Sequence, residues 1–242
     1  MIWEELKVYK PLSKDDLAFA KKELNQIIVS NLTVFGFKKY GNKLIRQSND
    51  LLHLIFLDNR GSWIGQPNSL KIEIAIVSIY DTEIIVDNFE PISGIFLPDI
   101  IPGIKNYYQI TSEYKLFADF ILRKLIEKVI PFFERYKSSK AVIENPIQLS
   151  SFMNGKKNFF KANDNLILYS LLCNQITFKT EDGIQSKIDF LSRFENLSER
   201  KLFFYEDLKK NLEMHNWKNI ENALELEKTK VCKKLKIDSA SC

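Results

Sequence analysis

The sequence has few of the residues from which recognisable catalytic and cofactor sites are built. Its 242 residues include two histidines, three cysteines and eight glycines, without a Cys-x-x-Cys or His-Glu-x-x-His pattern, a Gly-x-Ser-x-Gly elbow or a glycine-rich phosphate loop. Zinc needs three or four protein ligands, an activated serine or cysteine needs a base within reach, and a phosphate loop needs glycines so that backbone amides approach the anion. We therefore expect no metal site and no cofactor, and interpret His53 and His215 as structural or partly solvated.

Proline and long apolar runs are also scarce. Seven prolines and eight glycines are too few for a collagen-like chain, and 45% hydrophobic residues are too many for intrinsic disorder. The longest apolar runs, such as residues 74–79, are far shorter than the roughly 20 residues of a membrane helix, and no signal-peptide pattern is present. Cys173, Cys232 and Cys242 are odd in number and widely spaced, which does not indicate a disulfide framework. We expect a cytoplasmic protein with no membrane partner.

Hydrophobic spacing predicts an α+β fold. Apolar residues three or four apart predict one helix from Ser13 to Gly36 and another over 113–137, which Pro131 kinks or ends. Shorter alternating runs predict strands over 43–48, 51–57, 70–80 and 83–86. The first two flank Asn49-Asp50, a pair that favours a tight hairpin turn. We expect a small antiparallel sheet of three or four strands packed on the two long helices.

The C-terminal part of the chain has a different pattern. Residues 138–146 contain several polar residues and end in a proline, which is typical of a domain boundary. Beyond them, helical spacing recurs over 166–176, 184–194, 198–212 and 217–236. We therefore predict an α+β domain over 1–145 and a helical subdomain over 146–242 that docks on it.

One segment resembles a bacterial family known as domain-of-unknown-function family 4304. The matching features, spread over roughly residues 14–140, are Gly36-Phe37-Lys38-Lys39, the Gly41-Asn42 turn, Arg46, the Asn49-Asp50 hairpin and Ser62-Trp63. The chain departs from that family at Glu73 and Ala75, where an Asn and a Gly are frequent. The resemblance implies a cytoplasmic α+β protein without established catalytic residues. Since some members are encoded near toxin or conflict loci, it also implies an immunity-type binding role.

A carboxylate pattern offers one enzymatic alternative. Pro98-Asp99 followed by Glu113-Tyr114-Lys115 matches the pattern of a magnesium-dependent nuclease core. There, an Asp and a Glu hold Mg²⁺, which activates water, and a Lys stabilises the developing charge. That chemistry requires Glu113 and Lys115 on a strand beside Asp99. Because Glu113 opens a predicted helix, where an acidic residue is favourable in itself, we rank this nuclease below a binding function.

Clustered cations offer a second alternative. The net charge is +4, and the cations concentrate at Lys38, Lys39, Lys43 and Arg46 and at Lys228, Lys230, Lys233, Lys234 and Lys236. Nucleic-acid binding by such clusters requires aromatic stacking platforms among them, and only Tyr40 lies close by. A solvated helix end, with lysines favourably placed near the helix C-terminus, is the preferred explanation of the second cluster. A weakly basic nucleic-acid-binding accessory protein is therefore an alternative that we do not favour.

Two loops are the best candidates for an interface. Residues 58–65 combine Arg60 and Trp63 with flexible glycines, which is the composition of a binding hot spot. Residues 103–110 contain Tyr107 and Tyr108. If both loops lie at one end of the sheet, they form a shared aromatic surface; the other interpretation is that the rings fold back on the sheet. We expect a non-enzymatic bacterial protein, immunity-like or regulatory, whose partner is another protein.

Overall fold

One antiparallel sheet organises the fold. A computed structural model of the chain describes residues 3–5, 10–58, 69–80, 95–105, 107–145 and 199–237. In these ranges the strands are β1 (Lys38–Tyr40), β2 (Lys43–Ser48), β3 (Leu51–Asp58), β4 (Ser69–Ser78), β5 (Ile95–Phe96) and β6 (Tyr107–Gln109). The helices are α1 (Lys14–Leu32), α2 (Leu97–Ile100), α3 (Tyr114–Lys124), α4 (Ile130–Arg135), α5 (Ser139–Glu144), α6 (Glu199–Glu213) and α7 (Trp217–Leu235). The predicted α+β class is confirmed.

The strands follow the order β1-β2-β3-β4-β5, and β6 pairs with β4. Every pair is antiparallel. The described part of the sheet thus has six strands, where three or four are predicted, because β1, β5 and β6 are too short to produce an alternating pattern. The predicted strand over 83–86 and the predicted helices over 166–176 and 184–194 lie outside the described residues.

Helix α1 begins and ends where the sequence predicts. The Ser13 hydroxyl accepts a hydrogen bond from the Asp16 backbone N–H (3.2 Å) and donates one to the Asp16 carboxylate (2.6 Å), which caps the first turn. A short 3₁₀ segment follows the helix, and Gly36 stops it with φ of +82°, a conformation that favours glycine. The buried residues recur every fourth position as Ala20, Leu24, Ile28 and Leu32. This stripe packs α1 on the sheet.

Two-residue turns close the two hairpins. Tyr40 pairs with Lys43 around Gly41-Asn42, and Gly41 has φ of +60°. That is the position at which a II′ hairpin turn requires glycine. Ser48 pairs with Leu51 around the predicted Asn49-Asp50 turn, and Asn49 has φ of +52°. Asparagine tolerates this left-handed backbone better than most residues.

Both faces of the central strands are buried. Along β3, Leu51, Ile55 and Leu57 join a core with α1, α3 and α4, whereas Leu52, Leu54 and Phe56 join a second core with α6 and α7. The sequence predicts one buried face for β4. The other face is buried as well at residues 75 and 77, because α6 and α7 cover it. The C-terminal helices therefore dock on the sheet, and the central sheet lies between two helical layers.

The long helix over 114–135 does not end at its proline. Between α3 and α4 it widens into a π turn over Leu125–Val129, where the Ile130 N–H bonds to the Leu125 carbonyl five residues back. Pro131 has no N–H and cannot make the next helical hydrogen bond. The backbone accommodates it by changing the helix type just before it, and α4 continues to Arg135.

The predicted boundary segment contains helical structure. Helix α5 lies within 138–146, and the Ser138 hydroxyl caps it by accepting from the Ala141 N–H (3.2 Å). The division into 1–145 and 146–242 stays a prediction, since residues 146–198 are not described. Cys232 in α7 is disulfide-bonded, although the number and spacing of the cysteines do not indicate a disulfide framework. Cys173 and Cys242 are not among the described residues.

Candidate functional site at one end of the sheet

The strand register brings the two predicted loops to the same end of the sheet. Asp58, the last residue of β3, lies opposite Lys71 of β4, and Lys71 lies opposite Tyr107 of β6. Because neighbouring strands are about 4.8 Å apart, Asp58 and Tyr107 are about 10 Å apart across β4. The predicted loop 58–65, which contains Arg60 and Trp63, begins at Asp58, where β3 ends, and precedes Ser69, where β4 begins. Arg60 and Trp63 themselves lie outside the described residues.

Lys71 is the centre of a cluster at this end of the sheet. Its Nζ lies 4.4 Å from the ring centroid of Phe96 and 5.7 Å from that of Tyr107. It also forms an ion pair with Glu73, which lies opposite Phe96 in register. We call Lys71, Glu73, Phe96 and Tyr107 the sheet-end cluster. Two aromatic rings hold the ammonium by cation–π attraction, so the cluster presents a pre-positioned charge between aromatic surfaces.

The sheet-end cluster lies where the helical cover of the sheet stops. Residues 75, 77 and 79 of the same sheet face belong to the core with α6 and α7. Lys71 and Glu73 do not belong to that core, and their side chains are 18% and 19% exposed. Phe96 and Tyr107 are likewise partly exposed. In the described residues, the sheet-end cluster is therefore a place where aromatic and charged side chains of one sheet face are both accessible at the surface.

Tyr107 and Tyr108 point to opposite faces of the sheet, because successive residues of a strand alternate. Tyr107 faces Lys71, whereas Tyr108 packs against Phe117 and Phe120 at centroid distances of 5.1 and 5.9 Å. The Tyr108 hydroxyl accepts a hydrogen bond from the Lys105 N–H (2.9 Å), and burial raises the pKa of its phenol. Tyr108 therefore packs against the helices rather than forming part of the sheet-end cluster.

The three residues of the nuclease alternative have other roles. Asp99 is 4% exposed and caps α2, where its Oδ2 accepts from the Phe96 N–H at 2.9 Å. Glu113 precedes α3 and accepts from the Ser112 hydroxyl at 3.2 Å, while Lys115 is exposed in the first turn of that helix. Neither Glu113 nor Lys115 lies on a strand. The strand geometry that magnesium-dependent cleavage requires is therefore not found at these positions.

His53 is a structural histidine in a buried network. Its Nδ1 lies 3.0 Å from Nη2 of Arg46, and its Nε2 lies 2.8 Å from the Tyr136 carbonyl oxygen. Since arginine is only a donor, Nδ1 must accept, and Nε2–H donates to the carbonyl. Desolvation lowers the His53 pKa to about 4. With both nitrogens engaged and the ring fully buried, His53 is not placed to act as a general base.

Arg46 connects this histidine to the helix end. Its Nη1 donates to Glu134 Oε1 at 2.8 Å, and its guanidinium carbon lies 5.1 Å from the Phe37 ring centroid and 5.9 Å from that of Phe133. The hydrogen bond from Lys137, together with Arg46, lowers the Glu134 pKa. The sequence marks Arg46 as a residue of the family resemblance and as one member of a cation cluster. Nothing local to it indicates a partner 88 positions away.

The β2–β3 turn is attached to the start of α5. The Ser48 hydroxyl and the Asn49 side-chain amide both donate to the Lys137 carbonyl at 3.1 Å. The Asp50 carboxylate accepts hydrogen bonds from the Ser139 backbone N–H (3.1 Å) and hydroxyl. Sequence analysis predicts the turn but not this attachment, because the partners are 89 residues apart.

A groove of about 830 Å³ lies beside the π turn. Its lining includes Asp99, Glu127, Lys128, Phe132 and Arg135. The charges along it are of both signs and most of these side chains are exposed, so it does not resemble a dedicated anion or cation site. In the part of the chain that the structure describes, no three His, Cys, Asp or Glu side chains are grouped to hold a metal ion.

The lysines of α7 are partly neutralised. Lys228 lies 3.9 Å from Glu225, and Lys230 is ion-paired with Glu227. These pairs are one helical turn apart, where opposite charges stabilise a helix modestly. They reduce the net charge that this helix offers to a phosphate backbone, so the cluster is less suited to nucleic acid than its sequence indicates.

Comparisons with protein-family models, with curated proteins and with solved structures found no match to this chain. The helices seen in the described residues are all too short or too polar to cross a membrane. The chemistry of the described side chains is therefore the basis for a functional assignment.

Proposed function

We propose that the protein is a non-enzymatic binding protein that recognises another protein through the sheet-end cluster and the predicted loop 58–65. The observation behind it is the register of Asp58, Lys71 and Tyr107, which brings the ends of that loop beside a lysine held between two aromatic rings. Aromatic side chains, arginine and tryptophan are the groups that dominate binding hot spots. Arg60 and Trp63 of the loop supply the remaining members of such a set.

The fixed position of Lys71 in the sheet-end cluster also favours recognition of a protein surface. The cation is fixed by the Glu73 ion pair and by the two rings, so little side-chain freedom is lost when a partner binds. An immunity-like or regulatory role in the bacterial cytoplasm is part of this proposal and rests on the sequence resemblance to family 4304 alone. A protein of that kind needs a rigid surface and no reactive groups, which agrees with the engaged nitrogens of His53 and the structural role of Asp99.

Affinity capture from the lysate of the cell that makes the protein tests this function. The tagged protein is used at low and at high salt, alongside the variants Trp63→Ala and Tyr107→Ala. Phe19→Ala is the matched control, because Phe19 is an exposed aromatic residue (58%) on α1, on the other side of the sheet. With the parent and the control, we expect one stoichiometric protein partner that stays bound at high salt. Trp63→Ala and Tyr107→Ala should both lose this partner.

Two results would contradict the proposed function. If nucleic acid is recovered and high salt releases it, the lysine clusters form the site, because phosphate contacts weaken steeply with salt. If a protein partner binds all four chains equally, recognition occurs elsewhere on the molecule. Circular dichroism of each variant shows that the fold is retained before either conclusion is drawn.

A further inference from the structure

Strand β1 is an edge of the sheet. It is the first strand in the order β1-β2-β3-β4-β5, and among the described strands it pairs with β2 alone. Lys38 and Lys39 of this strand are exposed, and so are Gly41 and Asn42 of the turn that follows. An edge strand presents backbone N–H and C=O groups that can pair with a strand of another chain. A further strand can therefore be added at β1.

The register shows which backbone groups of β1 point outward. Tyr40 and Lys43 close a two-residue turn, and residues in these positions bond to each other through both backbone groups. Asn42 bonds in the opposite direction, since its carbonyl accepts from the Leu57 N–H of β3 at 3.0 Å. Because this direction alternates along a strand, the N–H and C=O of Lys39 point away from β2. In the described residues, neither group has a hydrogen-bond partner.

The charge on β1 determines the chemistry of a strand that it can accept. Residues 36–44 include three lysines and no acidic residue. Lys39 pairs with Leu44 and Lys38 pairs with Ile45, so the two lysines lie on opposite faces of the sheet. Opposite charges on facing residues of neighbouring strands are stabilising. An added strand with two consecutive acidic residues would offer one carboxylate on each face.

A second copy of the chain does not fit this edge. Antiparallel pairing of two β1 strands would place lysines opposite lysines, and like charges that face each other are destabilising. Lysines on an edge strand oppose self-association in this way, but they do not oppose pairing with an acidic strand. The edge therefore favours a segment of a different protein.

We propose that β1 binds an extended acidic segment of a partner protein by strand addition. The Lys39 N–H donates to a carbonyl of the segment, the Lys39 carbonyl accepts from one of its N–H groups, and two consecutive acidic side chains lie beside Lys38 and Lys39. Main-chain hydrogen bonds provide the affinity of such complexes, and side chains provide the specificity. Because β1 is at the opposite edge of the sheet from β5 and β6, this surface does not depend on the function of the sheet-end cluster.

Titration of the full chain with four probes tests this surface. The first probe is the peptide acetyl-Thr-Val-Glu-Glu-Val-Thr-amide. The second peptide has lysine in place of both glutamates, and the third carries a methyl group on the backbone nitrogen of each glutamate. The fourth probe is an oligothymidylate of eight nucleotides. We expect the first peptide to bind at least tenfold tighter than the other two, to shift backbone amide resonances of β1, and to slow hydrogen exchange of the Lys39 amide.

Two substitutions at one position separate the backbone contact from the charge. Lys39→Pro removes the outward N–H, and proline is tolerated on an edge strand where that group faces solvent. The first peptide should bind this variant at least tenfold more weakly. Lys39→Gln is the matched control, because it keeps the N–H: it should lose part of the preference for the acidic peptide but still discriminate against the methylated one. If Lys39→Pro fails to fold, the methylated peptide tests the same hydrogen bonds on the parent protein.

Strand addition is overturned if the first peptide produces no saturable shift in the parent protein, or if the methylated peptide binds equally well. If the oligothymidylate binds at β1 as tightly as the acidic peptide, the lysines attract any anion and the proposal is wrong. A shift confined to the sheet-end cluster would place the segment elsewhere and would also contradict it.

Discussion

The imidazole of His53 lies flat against the ring of Phe133, with centroids 4.5 Å apart and planes 9° apart. The histidine belongs to β3 and the phenylalanine to α4, so this stack joins the sheet to the helix through two rings and one hydrogen bond to the Tyr136 carbonyl. The imidazole of His53 must stay neutral in this packing. Its Nδ1 accepts a hydrogen bond from Arg46, and a protonated imidazole has no nitrogen that can accept.

Acid should therefore unfold the protein through His53. Its pKa is about 4 in the folded state against an ordinary 6.5, so the unfolded chain takes up the proton first. The stabilisation is complete above pH 6.5 and is lost as the pH falls towards 4, by up to about 3 kcal/mol at 1.36 kcal/mol per pKa unit. Urea unfolding between pH 4 and 8 measures it.

Matched histidine variants separate this effect from general acid denaturation. Residue 53 cannot titrate in His53→Gln, so the free energy of unfolding of this variant should change little between pH 6.5 and 4. The maximum free energy of unfolding of the variant is lower than that of the parent. His215→Gln, which alters an exposed histidine, is the matched control variant. Glu134 should also reduce the free energy of unfolding as the pH falls further, because its pKa is lowered in the folded state. An unchanged slope in His53→Gln would show that another group is responsible.

Arg46→Lys should be destabilising although it keeps the charge. The guanidinium donates to His53 and Glu134 and lies over two aromatic rings, and its side chain is only 13% exposed. A lysine cannot reproduce this planar set of contacts, and we expect a loss of about 2 kcal/mol in the free energy of unfolding.

Arg123→Lys is the comparison for Arg46. Arg123 is ion-paired with Glu4 at 2.5 Å, but its side chain is 42% exposed, and exposed pairs contribute less than about 1 kcal/mol. Denaturant midpoints of the two variants should differ clearly. Equal midpoints would mean that the buried network contributes no more than a surface ion pair.

The attachment of the β2–β3 turn can be measured by a double-mutant cycle. Asp50→Ala and Ser139→Ala each remove one side of the hydrogen bond between the turn and α5. Each variant should lose about 1–3 kcal/mol, and the double variant should lose at least about 1 kcal/mol less than the sum. Additive losses would show that the two side chains stabilise the fold independently.

The thiol content tests the bonding of Cys232. One disulfide among three cysteines leaves one free thiol per chain. Thiol titration of the denatured, unreduced protein should therefore give one equivalent, rising to three after reduction. Three equivalents before reduction would contradict the disulfide and would agree with the reducing cytoplasm expected from the sequence.

The sequence predicts the helices, strands and turns that are determined by residues close together in the chain. Ser13, Gly36 and the Asn49-Asp50 turn are signals that act within a few residues, and the elements they delimit are present. The burial of Ala75 and Val77 depends on helices that come more than a hundred residues later, so β4 is predicted with one buried face. Periodicity cannot detect β5 and β6, because two or three residues do not define an alternation.

In the candidate site, too, residue types can be predicted from the sequence, whereas contacts between distant residues cannot. Tyr107 is identified from its residue type, but its neighbour Lys71 is found only through the strand register. The bonding of His53 to Tyr136 spans 83 residues, and neither residue has a sequence signal for the other.

The π turn has a consequence for helix phase. Phe117, Ile121, Leu125, Val129 and Phe133 are all fully buried at strict four-residue spacing. On a regular α-helix each such step advances about 40°, since a residue turns about 100°, and the stripe would wind away from the sheet. The wider turn delays the winding and keeps the five side chains aligned. The π turn thus absorbs one residue more than a regular α-helical turn holds, which keeps Phe133 in line with the stripe and stacked on His53.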